Sequence, residues 1–393
     1  MAATDDPDAD RPRSAGAAPA AGGAPTGAFL AAALALPGIL PAWWSPHAHA
    51  ETAPDAGQIA LRYLDYRDWQ PGADRMRVRS PALYVLKPLG DSFAVEGTLV
   101  HDGISGASPR YHDALSGASG IGVSDHRTAG DGKLTWYGGR VAVGVGAAVS
   151  SERDYLGRAL SVDVRVSTPD NNRTWAFGIA GNNDRVDSVN GVAENRARRS
   201  VDLFVGLTQV LSADAIVQSN LTYSAGHGYY SDPYKLLDTR PDHRRVFAWL
   251  TRANRYLPAF DATLQVSYRL LTDSFGGTSH ALDAAWVQSL PAGWSVAPSL
   301  RYYTQSAADF YFDPPFPQGF VPGENYTADT RLAAFGAFTP GIGVVKRLAD
   351  GWSVDGRIEY YRQRAGWRLG GGGSPGLAPF SARWLQVGLS KTF

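Results

Sequence analysis

The chain has 393 residues, its 37 Lys and Arg balance 37 Asp and Glu, and it contains no cysteine. That composition excludes a disulfide framework, a thiol nucleophile and a Cys-based metal site, and it lacks the basic surplus of a nucleic-acid binder. A mean hydropathy of -0.21 excludes a bundle of transmembrane helices but not a membrane barrel, whose lumen and lipid faces alternate along every strand.

The first 25 residues are rich in Ala, Pro and Asp. From Gly27 to Ala42 runs the only long apolar stretch, interrupted by Pro37 and Pro41 and so a poor transmembrane helix. Ala48-His49-Ala50 then places small residues where a signal peptidase reads. The expectation is a leader and signal peptide over 1–50, cleavage before Glu51 and export. Acidic residues beside Arg11 and Arg13 are unusual for a signal n-region: either translation starts later or the leader is long and disordered. His47 and His49 fall in the discarded segment and offer no metal site.

From Gln58 onward no helical period occurs, and short alternating runs separated by turn residues predict strands. Val141, Val143, Val145 and Val149 alternate with Ala142, Gly144, Gly146 and Ala148. Leu160, Val162, Val164 and Val166 alternate with Ser161, Asp163, Arg165 and Ser167. Further on, Val201, Leu203, Val205 and Leu207 stand over Asp202 and Thr208, and Leu264, Val266, Tyr268 and Leu270 over Gln265, Ser267 and Arg269. Burying Asp163 and Arg165 in a dry core would be costly, whereas a wet lumen accepts them.

The connections fall into two alternating classes. Short turns are expected near Lys87–Asp91, Gly138-Gly139, Pro169–Asn172, Ser212–Asp214, Pro258-Ala259, Pro291–Gly293 and Ala349–Gly351. Between them lie longer loops at Asp102 to Asp131, Asp184 to Arg198, His227 to His243, Ala307 to Asp329 and Gly370 to Pro379. Short turns on one rim and long loops on the other mark an outer-membrane barrel of about sixteen antiparallel strands over 51–393.

One hairpin echoes another: Leu290-Pro-Ala-Gly-Trp-Ser-Val matches Leu348-Ala-Asp-Gly-Trp-Ser-Val, and Tyr302-Tyr303 matches Tyr360-Tyr361. Trp294 and Trp352 are placed for one membrane interface and the tyrosines for the other. At the end of the chain, Leu385, Val387, Leu389 and Phe393 share one face, opposite Trp384, Gln386, Ser390 and Thr392. A last strand of this kind resembles the signal by which barrel assembly machinery recognises its clients. Lys391 departs from that pattern and is expected to snorkel to the interface. Alone, this strand would also suit the edge of a soluble β-domain; the strands before it decide for the barrel.

Several longer stretches carry a family resemblance. They are Asp65–Arg75, Ser105–His112, Asp170–Trp175, Ser231–Asp238, Ser306–Phe312 and Trp367–Gly370 with Ser374–Leu377. Together they resemble a bacterial outer-membrane β-barrel family of unknown function, the domain of unknown function 3570 family. The resemblance implies fold and location in the outer membrane of a Gram-negative bacterium, with no activity and no catalytic residues attached.

Enzymatic readings find little support. His101, His112, His126, His227, His243 and His280 all lie in or beside the loop-side half, yet none forms an i, i+2 or i, i+4 pair that would name a metal site. There is no G-x-S-x-G elbow, and the Ser-Gly-Ala-Ser repeats at Ser105 and Ser116 read as turn material. Asp232, Asp238, Asp309 and Asp313 sit in Pro-stiffened aromatic loops and suit either Asx turns or a calcium site, with Asx turns preferred. A surface hydrolase therefore ranks third, behind the two lumen readings that follow, and no catalytic residue, cofactor or metal is expected.

Function is expected in the lumen. By register, Asp163, Arg165, Asp202, Arg269 and Asp283 fall on the polar face, as do Arg301, Asp355, Arg357 and Glu359. Opposed acidic and basic rows would set up a transverse field in a pore for small polar or charged solutes. The same rows would equally pair and fill a closed barrel that serves as scaffold or docking partner for periplasmic or lipoprotein components. The expected partners are outer-membrane lipid, the barrel assembly machinery and such a periplasmic or lipoprotein component, with no nucleic acid.

Overall fold

The computed structural model describes residues 51–106 and 123–393, residue 236 apart. The leader, the signal-peptide site, His112 and most of the Ser-Gly-Ala-Ser loop lie outside the described residues. Sixteen strands follow one another: β1 (Gln58–Gln70), β2 (Ala73–Leu89), β3 (Phe93–Gly106), β4 (Val123–Tyr137), β5 (Val141–Ser151), β6 (Tyr155–Ser167), β7 (Arg173–Val186) and β8 (Arg196–Ser212). The second half comprises β9 (Ala215–Gly228), β10 (His243–Leu257), β11 (Ala262–Asp273), β12 (Thr278–Leu290), β13 (Trp294–Gln305), β14 (Phe335–Arg347), β15 (Trp352–Arg364) and β16 (Phe380–Thr392). Each pairs antiparallel with its sequence neighbours, and β1 pairs with β16, so the sheet closes. Closure leaves no edge strand to be satisfied. Just beyond the seam, Gly57 and Phe393 exchange backbone hydrogen bonds of 2.9 and 3.0 Å.

Period-two patterning gives the wall its two faces. Outward, Leu61, Leu160, Ile179, Leu203, Leu282 and Leu385 are all exposed, Leu160 by 69 %. A closed sheet with exposed leucines around its circumference is a wall built to face hydrocarbon, and among the described residues no helix is long and apolar enough to cross a membrane. The inward face carries glycine, alanine, serine and charged side chains.

The rim where β1 begins and β16 ends has the short connections, including the one-turn helices at Pro258–Phe260, Pro291–Gly293 and Ala349–Gly351. The opposite rim has the long ones. Two boundaries differ from the sequence reading. The loop expected over Asp102 to Asp131 is shorter at both ends, since 102–106 belong to β3 and 123–131 to β4, where Asp102 faces Arg127 and accepts a 2.6 Å hydrogen bond from its Nε. Pro71-Gly72 makes a two-residue link on the long-loop rim, with Gly72 at φ 74.

The two echoed hairpins are one structure built twice. Ala292 and Asp350 take left-handed φ values of 57 and 54, and the following glycines 76 and 73. Beside each, a lysine from the next strand lies over the Trp: Lys346 is 5.0 Å from the Trp294 ring centre and Lys391 5.5 Å from that of Trp352. Each ammonium also donates to a turn carbonyl, Lys346 to Ala292 and Lys391 to Asp350. Lys391 therefore snorkels onto an aromatic ring at the interface. Of the tyrosine pairs, Tyr302 and Tyr360 share the outward face, while the register turns Tyr303 and Tyr361 inward.

Candidate functional site

Sixteen strands at about 4.8 Å spacing and a tilt near 40° enclose a space roughly 30 Å across between backbones, too wide for opposing side chains to fill. What lines that space, and what closes its mouths, is the candidate site.

The nine charged residues singled out above lie on the inward face, and most are paired. Asp355 accepts from Arg62 at 2.5 Å, although β15 and β1 are not neighbours. The pair reaches across Gly388 of β16, where a Cβ would come within 2.5 Å of the carboxylate and 2.8 Å of the guanidinium. Asp163 meets Lys133 at 2.7 Å in the same way, over Gly144 of β5. Arg301 holds Asp283 at 2.5 Å, and Arg357 pairs with Glu359. Asp202 is fully buried and accepts from Asn182 at 2.7 Å. Arg165 lies 3.4 Å from Glu51. Arg269 is exposed and makes no ion pair among the described residues.

The charges left without an ion pair are not evenly spread. On β3 and β4, Glu96 and Asp131 point inward, and on β10 and β11 so do Arg252 and Arg269, with the paired Arg301 near them on β13. These two groups lie about eight strands apart around a ring of sixteen, on opposite walls. Both sit about five residues above the short-turn rim. An acidic wall facing a basic wall creates a field across the lumen. Glu96, Asp131, Lys133, Arg62 and Arg252 were missed by a sequence reading that marked charges only in the clearest alternating runs.

Each mouth is narrowed by chain. On the short-turn rim, the segment before β1 crosses to the β4–β5 turn, where Glu51 pairs with Gly139 and its carboxylate approaches Arg165. On the opposite rim the loops 229–242 and 306–334 join through a Thr239–Tyr326 bridge with hydrogen bonds of 2.9 and 2.8 Å. At their centre Asp329, 1 % exposed, receives Lys235 at 3.0 Å, Arg240 at 2.9 Å and Arg331 at 2.5 Å. Burial pushes the Asp329 carboxyl up, but Arg331, Lys235 and Arg240 outweigh it and hold the group well below the ordinary carboxylate range. Asp232 and Asp238 complete three cations against three anions. The tripeptide Asp-Thr-Arg occurs twice here, at Asp238–Arg240 and Asp329–Arg331, and the two copies cross-pair. That repeat was a legible signal for the contact.

At Asp232 and Asp238 the Asx-turn reading describes the geometry, since both carboxylates are engaged by arginine and Asp232 Oδ1 accepts an Asx-type hydrogen bond from the Tyr234 amide. The loop layer leans over the inward face: Phe275, Ala308 and Phe310 pack together, Arg244 lies 4.8 Å over the Phe275 ring, and Leu377 joins inward Phe335. Tyr234 binds the layer to its neighbours through Asp154 and the Val189 amide.

Of the histidines, the rings of His227 and His243 lie 4.3 Å apart, tilted by 41°, beside Asp242, a grouping produced by strand pairing and invisible in sequence spacing. These three ligands, all exposed on the rim, are the only group of three or more metal-ligating residues among the described residues. Leu385, Val387, Leu389 and Phe393 are all exposed on the outward face of β16.

A family model described as a protein of unknown function (DUF3570) matches residues 115–195 and 191–384. No curated protein matches in sequence. Among solved structures, CdiB from Acinetobacter baumannii superposes with a TM-score of 0.50 at 8% identity, covering 84% of this chain and 60% of that one. Acinetobacter baumannii OccAB1 matches at 0.43 and 10%, covering 89% and 100%, and a bacterial polysaccharide outer membrane secretin at 0.47 and 8%, covering 85% and 98%. This chain thus spans less than two thirds of the CdiB chain, and what it shares there is the barrel fold.

Proposed function

The chain belongs to the DUF3570 family, and on that premise we propose that it is a passive outer-membrane pore for small polar or charged solutes. The observation that carries this reading is the inner wall: a sixteen-strand ring too wide to fill itself, with Glu96 and Asp131 opposite Arg252, Arg269 and Arg301. A field across a wet lumen orients solutes that carry both charges, so small dipolar molecules are the favoured cargo. Because most inward charges are paired, the preference between simple anions and cations is small. The latched loops and the segment at the other mouth make the conductance low and intermittent.

The test is single-channel conductance of the folded protein in a planar bilayer. Small, intermittent but reproducible openings with weak ion preference are expected. Arg269→Glu, which reverses an unpaired charge, shifts the preference toward cations more than Arg301→Glu, whose charge is already answered by Asp283. A strong preference in the parent protein would overturn the assignment of the inner walls. The knitted loop layer also favours a second reading, a closed barrel that docks a periplasmic or lipoprotein component. Silence from protein shown to be folded by heat-modifiable gel mobility selects it.

A further inference from the structure

The outward face changes character along one hydrogen-bonded row that crosses five successive strands. Reading up β7 the outward residues are Trp175, Phe177, Ile179, Gly181 and then Asn183; down β8 they are Arg199, Val201, Leu203 and Val205. The register puts Arg158, Asn183, Arg199, His227 and His243 side by side in a single row, with Arg245 one rung lower. From Trp175 to Asn183 is roughly 26 Å along the strand and roughly 20 Å in height after tilt, close to the span of a barrel's apolar band. Asn183 therefore stands near the boundary of the outer leaflet, and with the strand tilt the row rises from Arg158, nine residues above the short-turn end of β6, to His243, fourteen above that of β10, on the long-loop rim.

Two features mark the row. Arg67 and Arg77 close on Asp65 at 3.2 and 2.6 Å, whereas Arg158, Arg199 and Arg245, like the more widely separated Arg362 and Arg383, meet no carboxylate among the described residues. Asp242 is nearby but is held by His243 at 2.6 Å. Directly beneath the row the side chains shrink, to Gly181 and Ala225, and the wall is hollowed into a depression of about 1000 Å³ floored by Ala147, Leu160 and Val201. Two unanswered guanidinium groups above an apolar hollow, Arg158 and Arg199, with a third, Arg245, at its side on the rung of Ala225, form a site for a ligand with phosphate at its head and hydrocarbon below.

We propose that this depression binds a phosphorylated glycolipid of the outer leaflet, its phosphate seated on Arg158, Arg199 and Arg245 and an acyl chain lying over Gly181 and Ala225. A second copy of the chain docked symmetrically would set these cations against one another, so the lipid is the better occupant.

The test uses the full chain purified in mild detergent and native mass spectrometry with three probes: bisphosphorylated lipid A, lipid A stripped of phosphate, and phosphatidylglycerol. One lipid A per barrel is expected, with the stripped form and phosphatidylglycerol retained far more weakly. Replacing Arg158, Arg199 and Arg245 together by Ala lowers retention by about a hundredfold, taking each surface cation at its usual worth. Gly181→Trp leaves every charge in place but fills the hollow, whose Cβ position has nothing within 4 Å, and it too abolishes retention. Should the triple variant fail to fold, Gly181→Trp alone decides. Equal retention of the stripped lipid or of phosphatidylglycerol, unchanged retention by Gly181→Trp, or a dimer that the triple variant dissolves would each overturn the proposal.

Discussion

Asp329→Asn is the most informative single change, because it removes the anion on which two loops converge while leaving the barrel wall alone. The carboxylate is 1 % exposed and takes three cations within 3.0 Å. After substitution Lys235, Arg240 and Arg331 face only Asp232 and Asp238. Lys235 and Arg240 are largely enclosed, so their charges are poorly answered by water, whereas Arg331 is 46 % exposed by side chain and contributes less. Removing one partner from a buried ion pair costs about 3–5 kcal/mol; taking the lower end, the closed loop layer loses more than about a hundredfold in population. The assay is the closed-time distribution in single-channel recordings, with openings expected to be longer and larger than in the parent.

The same argument fixes the pH response. The folded-state value for Asp329 is depressed, so the stability it supplies is complete above the unfolded value of about 3.9 and disappears only as pH falls through the much lower folded value. Gating should be unchanged between pH 7 and 5. A folded Asp329→Asn protein with the parent's recordings, or a parent pore that opens on acidification to pH 5, would refute the latch.

Other expectations concern the wall itself. Arg62→Ala strands Asp355 and should cost about 3–5 kcal/mol in urea unfolding from lipid vesicles, while Arg62→Met with Asp355→Leu recovers most of it. Lys346→Ala and Lys391→Ala should each cost about 1 kcal/mol, and nearly additively since they sit in separate hairpins; strong coupling between them would contradict two independent clasps. Phe393→Ala, which keeps the two backbone hydrogen bonds to Gly57 and removes only an exposed ring, should slow insertion by the assembly machinery in a reconstituted assay and leave the unfolding free energy of the inserted barrel within about 0.5 kcal/mol of the parent.

Much of the fold is written in local pattern. A period-two alternation needs no knowledge of partners: Asp163 falls on the face opposite Leu160 and Val162 whatever strand lies beside it. Turn residues likewise mark the short rim, as the paired Gly-Trp-Ser-Val hairpins show at Gly293 and Gly351. The strand number follows from counting those turns. Charges in less regular strands, such as Glu96 beside Gly97 and Asp131 between two glycines, gave no clean alternation and went unmarked.

What the sequence determined by itself, then, was a closed wall with an apolar outside and a charged inside, since faces and turns depend on residues a few positions apart. Which charges answer each other was decided only by tertiary structure. Arg62 and Asp355 are 293 positions apart and meet because the barrel closes and a glycine lies between them; Arg240 and Asp329 are 89 apart and meet because two loops fold over one mouth. The unanswered arginines of the outer wall are the same case in reverse: Arg158, Arg199 and Arg245 lie on apolar-face positions of three different strands, and only the inter-strand register sets them together around one hollow.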